Sequence, residues 1–550
     1  MAYANALGGA FVFDDVIHIR DNPLVRDLSR VASLDGLRAY PHRWLAYLTF
    51  ALNYRTGGLA PAGYHAFNVA VHLANAALVY ALVLLAFRTP RLVTSTLAPR
   101  ARAVAFVAAA LFVAHPLQTQ AVTYVVQRMT SLAALFYLSS VLSFLRWRLA
   151  EPGGARARWY AATIALALLG MKTKEIAFTL PFAILLAELA LFRTTRADLL
   201  RLVPVLATAV VVPATHLWTG APLSGTLSAL GALAPGQAPP GRLEYLATQL
   251  AVVVTYLFLI LVPVGQNVDH DYPIHRSFLA PEVLSGAAVL LALAALGAWL
   301  AWRTRARATR PLDPAARLAA FGIGWWFLAL AVESSIIPIV DVIVEHRVYL
   351  PSVGLFTAAA LGIAALAAHR WEPAVAARRT IVVGAALAMG LAAAAFARNR
   401  AWASDVSIWT DSALKSPGKT RPWLNLGTAL REAGRPEAAV AALRRALELD
   451  PASSYGRSQL GAVLASMGRR AEAEPELRAA LTAAPEDVEA LFNYAVILWE
   501  TGRRDEARTL FARFAALAPD SLQQAKRIAR ARAAPPADSA GPRDPPAGLR

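Results

Sequence analysis

Long apolar runs separated by short, arginine-rich loops fill the chain as far as residue 397. Only 16% of the 550 residues are charged, whereas soluble domains average about 25%. Such runs predict membrane-spanning helices, because a helix satisfies its own backbone hydrogen bonds inside hydrocarbon. The sequence therefore predicts an all-α chain, in which a polytopic helical membrane domain is followed by a domain of different composition.

The apolar runs predict spans at about 63–87, 103–117, 124–146, 158–171, 175–192, 198–217, 280–302, 315–338, 348–368 and 380–397. Residues 1–13 are apolar but cover only about 20 Å, which is too short for a hydrocarbon core of about 30 Å. We interpret them as the last half of a truncated first span. This gives eleven spans, with the C-terminus on the outer side.

The charge distribution sets the orientation of these spans. The formal net charge is +18, and the arginines cluster between spans, as is typical of cytoplasmic loops and not of a nucleic-acid-binding face. If the apolar segment 244–263 crossed the membrane, the arginine-rich run 303–310 would lie outside. We therefore expect 244–263 to be re-entrant or interfacial, with irregular backbone over 264–279. The absence of cysteine excludes disulfides and thiolate metal sites.

A 34-residue period begins near residue 420. Three sets of residues recur at this spacing: Gly434, Gly468 and Gly502; Ala439, Ala473 and Ala507; Pro451, Pro485 and Pro519. This is the tetratricopeptide repeat pattern, in which small residues let two antiparallel helices approach each other. Arg457 occupies the position that Trp423 has in the first repeat, so weaker packing is expected there. Stacked repeats present a concave protein-binding groove.

These patterns predict four regions. They are a membrane domain over 1–398, a degenerate half repeat or linker over 399–419, three repeats over 420–521, and a basic, proline- and alanine-rich disordered tail over 522–550.

Two adjacent carboxylates, Asp14 and Asp15, end the first apolar run. Carboxylates at a membrane edge are costly to desolvate, which makes them candidates for a functional site. One of them would act as a general base by accepting the proton of an attacking hydroxyl. The second would orient the first or modulate its acidity. The alternative is that the pair caps a loop or binds Arg20.

Four cations are candidates for binding a lipid phosphate, because lysine and arginine supply both charge and hydrogen-bond donors. They are Lys172, Lys174, Arg347 and Arg128. Lys172 and Lys174 lie on the predicted outer side, where the positive-inside bias disfavours cations. The alternative for these two lysines is snorkelling at a helix end.

Further polar residues fall at the predicted outer ends: His115, Glu175, Asp269, His270, Asp271, Glu345, His346 and Tyr349. The tripeptide 269–271 contains ligand types that suit a divalent metal. Three ligands in one tripeptide do not easily face one ion, so a hydrogen-bonded loop is favoured and no metal is assigned. His115 is expected to donate a hydrogen bond at a helix end, and Tyr349 to shape a helix start.

Several stretches together resemble a known family, the transmembrane-and-tetratricopeptide O-mannosyltransferases of the GT-C glycosyltransferase superfamily. They are residues 13–15, 21–23, 48–54, 63–68 and 115–116, followed by the repeats. The resemblance covers nearly the whole chain and its domain order. Two features depart from the family pattern: the truncated first span, and an array of only three repeats.

The resemblance implies an inverting enzyme that moves a mannose-like sugar from a polyprenyl-phosphate donor to Ser/Thr hydroxyls of exported proteins. It maps the family's acidic pair onto Asp14 and Asp15, with Asp14 as the base. The expected partners are membrane lipid, the lipid-linked sugar, and an acceptor protein or translocation partner on the repeats. The arginine- and alanine-rich composition suggests a bacterial inner membrane, with the site and the repeats on the periplasmic side.

Two alternatives stay open. In the first, the enzyme transfers the sugar to a lipid or to a cell-surface glycan. In the second, the chain is a non-catalytic scaffold whose repeats assemble an envelope complex.

Overall fold

The structure is a computed structural model that describes residues 2–219, 240–305, 311–335, 337–519 and 522–534. It divides into two compact units, Met1–Ile408 and Trp409–Arg550. Within the described ranges every regular element is a helix, which confirms the predicted all-α class. Most of the loop between the predicted segments 198–217 and 244–263 lies outside these ranges.

The α-helices of the first unit are α1 (Leu28–Ala32), α2 (Leu34–Ala39), α3 (Trp44–Gly57), α4 (Pro61–Ala86), α5 (Ala101–Ala114), α6 (Thr119–Val122), α7 (Arg128–Leu149), α8 (Gly154–Met171), α9 (Leu180–Leu191), α10 (Arg196–Arg201), α11 (Val203–Ala207), α12 (Val211–Thr219), α13 (Arg242–Leu261), α14 (Pro281–Arg303), α15 (Ala316–Leu330), α16 (Ser352–Arg370) and α17 (Pro373–Asn399). Helix α18 (Asp405–Lys415) contains the division between the units.

Among the described residues, seven helices are long and apolar enough to cross a membrane, or eight if the bent pair Ala98–Ala114 and Pro116–Val122 is one span. The chain is thus a multi-pass membrane protein. Three predicted spans are weaker than expected by this measure. Helix α8 is not among the seven, α9 has only 12 residues, and α15 has only 15.

The N-terminal residues differ from their prediction. Residues 2–13 form one 3₁₀ turn, Ala6–Gly8, flanked by turns and extended backbone, and a π-helix, Val16–Arg20, follows. The prediction that these residues form half of an α-helical span was therefore wrong for residues 2–13. The segment packs against the bundle instead: Asn5 Nδ2 donates to the Phe396 carbonyl oxygen at 2.9 Å.

Helix α13 and the chain that follows it form a hairpin. The hydroxyls of Thr255 and Tyr272 lie 3.2 Å apart, and the His275 N–H donates to Thr248 Oγ1 at 2.9 Å. The returning chain therefore runs beside α13 towards its start. Length and composition alone would allow α13 to cross a membrane, but a returning chain is the path of a re-entrant segment. The backbone after α13 is irregular, as the sequence predicts.

The bundle has two ends of different character, because most of the successive long helices alternate in direction. The polar end is defined by contacts between Asp15 and Val126, Lys172 and Thr215, and Thr123 and Asn399. The arginine end is defined by contacts between Arg148 and Glu188, Arg91 and Phe192, and Thr96 and Asp313. The predicted polar motifs therefore gather at one end and the arginine-rich loops at the other.

Two glycines let α15 and α16 touch through their backbones. A Cβ on Gly354 would lie 2.1 Å from the Gly322 carbonyl oxygen, and a Cβ on Gly322 would lie 2.3 Å from the Gly354 carbonyl oxygen. No side chain fits at either position without moving a helix. This contact holds the middle of α15 against the first turn of α16.

The second unit is a series of antiparallel helix pairs that repeats every 34 residues. The pairs are α19 (Thr420–Glu432) with α20 (Pro436–Leu449), α21 (Ser454–Ser466) with α22 (Arg470–Ala483), and α23 (Val488–Glu500) with α24 (Arg504–Leu517). Gly434, Gly468 and Gly502 have φ of +69°, +75° and +87° at the turn within each pair, a conformation that favours glycine. Ala439, Ala473 and Ala507 are fully buried between the helices.

Arg457 makes the contact in the second repeat that Trp423 makes in the first. Trp423 Nε1 donates to the Pro417 carbonyl oxygen at 3.2 Å. Arg457 Nη2 donates to the equivalent carbonyl, that of Pro451, at 2.9 Å. A charged donor thus replaces the indole N–H at this position.

The predicted disordered tail is partly wrong. Residues 523–533 form a further helix, α25 (Gln523–Ala533), whose Ala529 is fully buried. The helix covers the last pair in the way a terminal cap does in a solenoid. Residues 535–550 lie outside the described part of the chain.

The glycine contact predicts a position-dependent effect of adding one methyl group on α16. Gly354→Ala forces two backbones apart and should lower stability by about 1–3 kcal/mol. Gly362→Ala, on the same helix, meets nothing within 4 Å, so it should be neutral or stabilising through helix propensity. The measurement is thermal unfolding of both variants in detergent, and equal melting temperatures would contradict the contact.

Candidate active site

A cleft with about 640 Å³ of empty space, part of it open to solvent, lies at the polar end of the first unit. Its polar lining residues are Asp14, Arg43, Gln120, Tyr124, Gln127, Lys174, Glu333, Asp341, His346 and Arg347. They come from the first loop, the starts of α6 and α7, the connection from α8 to α9, and the connection from α15 to α16. Residues far apart in sequence thus converge because several helices end at the same place.

Asp14 faces the cleft and Asp15 points away from it. The Asp15 carboxylate is fully buried and accepts backbone N–H groups of Val126 at 2.6 Å, Val12 at 3.2 Å and Val125 at 3.4 Å. Burial raises the pKa of this carboxyl, and the charge of Asp14 adds to the effect, although the three N–H donors oppose it. Asp15 therefore anchors the loop, while Asp14 presents a carboxylate to the cleft.

The backbone beside Asp14 is held in an uncommon conformation. Phe13 has a φ of 53°, which is rare for a residue other than glycine. Its N–H donates to Asp405 Oδ1 at 3.1 Å, and the Asp14 N–H donates to the Tyr124 hydroxyl at 3.0 Å. These bonds fix the direction in which Asp14 projects.

Lys174 is a buried cation of the cleft. Its Nζ lies 3.0 Å from Glu333 Oε1 and donates to Thr130 Oγ1 at 2.9 Å. An ammonium group has three N–H donors, and these two contacts use two of them. The pair with Glu333 offsets the cost of burying the charge.

Arg347 and His346 line another wall. Arg347 Nη2 donates to the Asp341 carbonyl oxygen at 2.7 Å, and Nη1 donates to the Val342 carbonyl oxygen at 2.9 Å. Burial and the charges of Lys174 and Arg347 hold the pKa of His346 well below its usual value. His346 is therefore a neutral imidazole at neutral pH.

Arg43 adds a third cation, which lies 3.5 Å from Glu175 Oε1 through its Nε atom. Glu175 is almost fully buried behind it. The predicted residue Glu175 thus supports the cleft through Arg43 and does not line it.

Two predicted phosphate ligands lie elsewhere. Lys172 donates to Thr215 Oγ1 at 2.8 Å and to the Pro41 carbonyl oxygen at 3.3 Å. Arg128 is fully buried and donates to Asn68 Oδ1 at 2.6 Å and to the Tyr64 carbonyl oxygen at 3.0 Å. Neither residue lines the cleft, because each is used to join helix ends.

The other predicted polar residues have structural contacts. Glu345 Oε1 accepts the Asn267 N–H at 2.6 Å and lies 3.1 Å from His270 Nε2. His115 Nε2 bonds the Ile260 carbonyl oxygen at 3.0 Å, and the Tyr349 hydroxyl bonds His72 Nδ1 at 2.7 Å.

In the same region Asp269 is buried and Asp271 is exposed. Among the described residues, no three His, Cys, Asp or Glu side chains are grouped to hold a metal ion.

The sequence analysis missed Arg43, Glu333, Tyr124 and Gln127. Glu333 carried a usable signal, because it is an ionisable residue inside the predicted span 315–338 and such residues are functional candidates by default. Arg43 carried none, because it is one of several arginines in a polar loop.

Comparison with known protein families identifies the repeats. Tetratricopeptide repeat models match residues 421–453 and 464–533, so the second unit contains tetratricopeptide repeats. The crystal structure of YrrB, described as a TPR protein with an unusual peptide-binding site, is 17% identical, covers 39% of this chain and 91% of its own, and has a TM-score of 0.21. A score this low gives no information on the fold.

Curated relatives are protein O-mannosyl-transferases. The chain is 38% identical over 194 residues to Tmtc2 of Drosophila melanogaster, covering 32% of this chain and 19% of the relative. It is 32% identical over 200 residues to TMTC4 of Homo sapiens, covering 32% of this chain and 26% of the relative. The chain therefore matches about a fifth to a quarter of the length of these relatives.

The Lys174–Glu333 pair predicts a non-additive loss of stability. Glu333→Gln leaves a buried ammonium without its counter-charge and should cost about 3–5 kcal/mol, whereas the double change Lys174→Met with Glu333→Gln should cost much less. Asp21→Asn is the control, because it breaks the exposed pair of Arg20 and Asp21 and should cost under about 1 kcal/mol. Unfolding in detergent measures all three, and a double variant that loses as much stability as Glu333→Gln alone would refute the pairing.

Proposed function

We propose that the chain is a membrane glycosyltransferase that moves a mannose-like sugar from a polyprenyl-phosphate donor to Ser/Thr hydroxyls of proteins. One observation carries the proposal: the Asp14 carboxylate and the cations Arg43, Lys174 and Arg347 line the same cleft, at the end of an apolar helix bundle. The names of the curated relatives support it. The resemblance of the first loop supports it as well.

Asp14 is the general base in this proposal. The acceptor hydroxyl oxygen attacks the anomeric carbon, the bond from that carbon to the phosphate oxygen breaks, and Asp14 takes the hydroxyl proton. The polyprenyl phosphate leaves with the electron pair of the broken bond and needs no proton. Attack from the face opposite the leaving group inverts the anomeric carbon.

The cations stabilise the charge that develops on the leaving phosphate. Lys174 has a third N–H donor beyond its contacts with Glu333 and Thr130, which it can give to a phosphate oxygen without losing its ion pair. Arg43 and Arg347 add positive charge at the rim of the same cleft. Preorganised charges at the site of developing charge are a large source of catalysis in a site shielded from water.

The positive-inside bias gives the orientation. The arginine end faces the cytoplasm, so the cleft opens on the opposite, extracytoplasmic side. In a bacterial inner membrane this is the periplasm. The hairpin of α13 and its return fits this topology, because it leaves the following loops on their expected sides.

The repeats recruit the acceptor or a translocation partner in this proposal. Tetratricopeptide repeats form concave surfaces that bind proteins. Holding the acceptor near the membrane raises its effective concentration at the cleft.

Replacing the base should remove transfer without unfolding the chain. In membranes that contain a polyprenyl-phosphate-linked mannose, Asp14→Asn should lower the rate of transfer to acceptor protein at least about 100-fold, the scale of general-base catalysis. Asp35→Asn, an exposed carboxylate of the same loop, is the matched control and should retain full activity. Equal rates in Asp14→Asn and the wild type would reject Asp14 as the base.

A scaffold is the second candidate function, and one observation favours it: the family models that match the chain are tetratricopeptide repeat models, over residues 421–453 and 464–533. It predicts that Asp14→Asn leaves cell-envelope function intact, while deletion of residues 420–521 abolishes it. A glycan or lipid acceptor would instead appear as a changed envelope glycan with an unchanged set of glycoproteins.

A further inference from the structure

Four side chains that line the cleft are polar but carry no charge: Gln120, Tyr124, Gln127 and His346. The Tyr124 hydroxyl is occupied, because it accepts the Asp14 N–H at 3.0 Å. We call the other three, Gln120, Gln127 and His346, the neutral set. All three are more than nine-tenths buried, with exposed fractions of 2%, 3% and 9%. The proposed transfer step uses Asp14 and the cations and gives the neutral set no task.

His346 carries unused hydrogen-bonding atoms. Its Nδ1 atom is buried without a partner, and within the described part of the chain neither ring nitrogen forms a hydrogen bond. Burial and the charges of Lys174 and Arg347 hold the pKa of His346 well below its usual value, so the imidazole is neutral and offers one donor and one acceptor. Buried polar atoms in folded proteins are nearly always hydrogen-bonded. This side chain is therefore placed to meet a ligand that has hydrogen-bonding groups of its own.

The two glutamines each have an engaged carbonyl oxygen and an unused amide nitrogen. Gln120 Oε1 accepts the His346 N–H at 2.7 Å, and Gln127 Oε1 accepts the Thr130 hydroxyl at 3.0 Å. Neither Nε2 atom donates to any of the described residues. An amide NH₂ group has two donors. The bonds to Oε1 therefore orient the two amides and leave their donors for a ligand.

The neutral set lies beside two of the cations of the cleft. Thr130, which donates to Gln127, also accepts from Lys174 Nζ at 2.9 Å, so one hydroxyl separates Gln127 from the ammonium group. His346 directly precedes Arg347 in the chain. In a lipid-linked sugar the ring hydroxyls are close to the phosphate, because the anomeric carbon bears it. A site for such a ligand needs hydroxyl-binding groups next to phosphate-binding groups, and the cleft has this arrangement.

We infer that the neutral set binds the hydroxyl groups of the transferred sugar, while the cations hold its phosphate. This inference rests on the proposed function. A hydroxyl both donates and accepts, which suits an imidazole with one donor and one acceptor and two amides with unused donors. A site built to hydrogen-bond a hydroxyl rejects a ligand that lacks it, because the buried polar atoms of the site are then left unpaired. The neutral set therefore gives the cleft a preference for the sugar-bearing lipid over the bare lipid phosphate.

The test measures binding of two lipids in the absence of acceptor, so that the hydroxyls of an acceptor protein cannot contribute. The full chain in nanodiscs is titrated with polyprenyl-phosphate mannose and with polyprenyl phosphate. H346L removes both ring nitrogens and should weaken binding of the mannose lipid about tenfold, the scale of one lost hydrogen bond. It should change binding of polyprenyl phosphate less than about twofold. H346Q restores a donor and an acceptor and should recover part of the loss.

Two further variants separate the sugar from the phosphate. Q127M should repeat the pattern of H346L, and it decides the question if H346L does not fold. K174M/E333Q should instead weaken binding of both lipids to a similar extent, because Lys174 is assigned to the phosphate that they share.

Equal losses for the two lipids in H346L and Q127M, or no loss for either lipid, would overturn the inference. If the wild type binds neither lipid, the proposed function fails together with the inference. If the wild type transfers mannose but binds both lipids equally tightly, only the inference fails.

Discussion

The cleft depends on one buried carboxylate, that of Asp15. The first N–H groups of a helix have no partner within the helix, and Asp15 satisfies those of Val125 and Val126 at the entry to α7. Burying a carboxylate is costly, but three N–H donors and the positive end of the helix dipole offset the cost. The bond pins the first loop to α7 and leaves Asp14 directed into the cleft. The adjacent residues Asp14 and Asp15 therefore differ in role, because only Asp15 accepts N–H groups at the start of a helix.

The bundle handles charge differently at its two ends. At the polar end each cation of the cleft has a carboxylate or carbonyl partner, as Lys174 has the Glu333 carboxylate and Arg347 has the Asp341 carbonyl oxygen. This pairing fixes the positions of the charges before a substrate arrives, and fixed charges do not spend free energy on reorganisation. At the arginine end Glu188 and Asp198 are both bound to Arg148, and Asp313 is bonded to Ser95 and Thr96. The ion pairs at this end therefore join the ends of helices.

The features that could be predicted from the sequence are those that depend on a local pattern of residues. The 34-residue period located every helix pair of the repeats, because each glycine, alanine and proline in it has a steric task. Apolar runs located the long helices, and the polar motifs identified Asp14, Lys174, His346 and Arg347, which share the cleft. Arg128 and Lys172, predicted to bind phosphate, lie outside the cleft and join helix ends, because charge and position along the chain do not reveal which helix ends meet. Residues 523–533 were predicted to be disordered for a related reason. This basic segment forms a helix by burying the face that contains Ala529, and amino-acid composition does not reveal such a face.

The two ends are connected through α15 and α16. Gly322 and Gly354 bring the backbones of these helices into direct contact, and Trp325 Nε1 donates to the Leu350 carbonyl oxygen at 2.9 Å. Leu350 is three residues from Arg347, which lines the cleft. Because no side chain separates the two helices at the glycines, α15 and α16 have little freedom to shift against each other. The connection between them, which carries both Glu333 and Arg347 into the cleft, therefore starts and ends on closely packed helices.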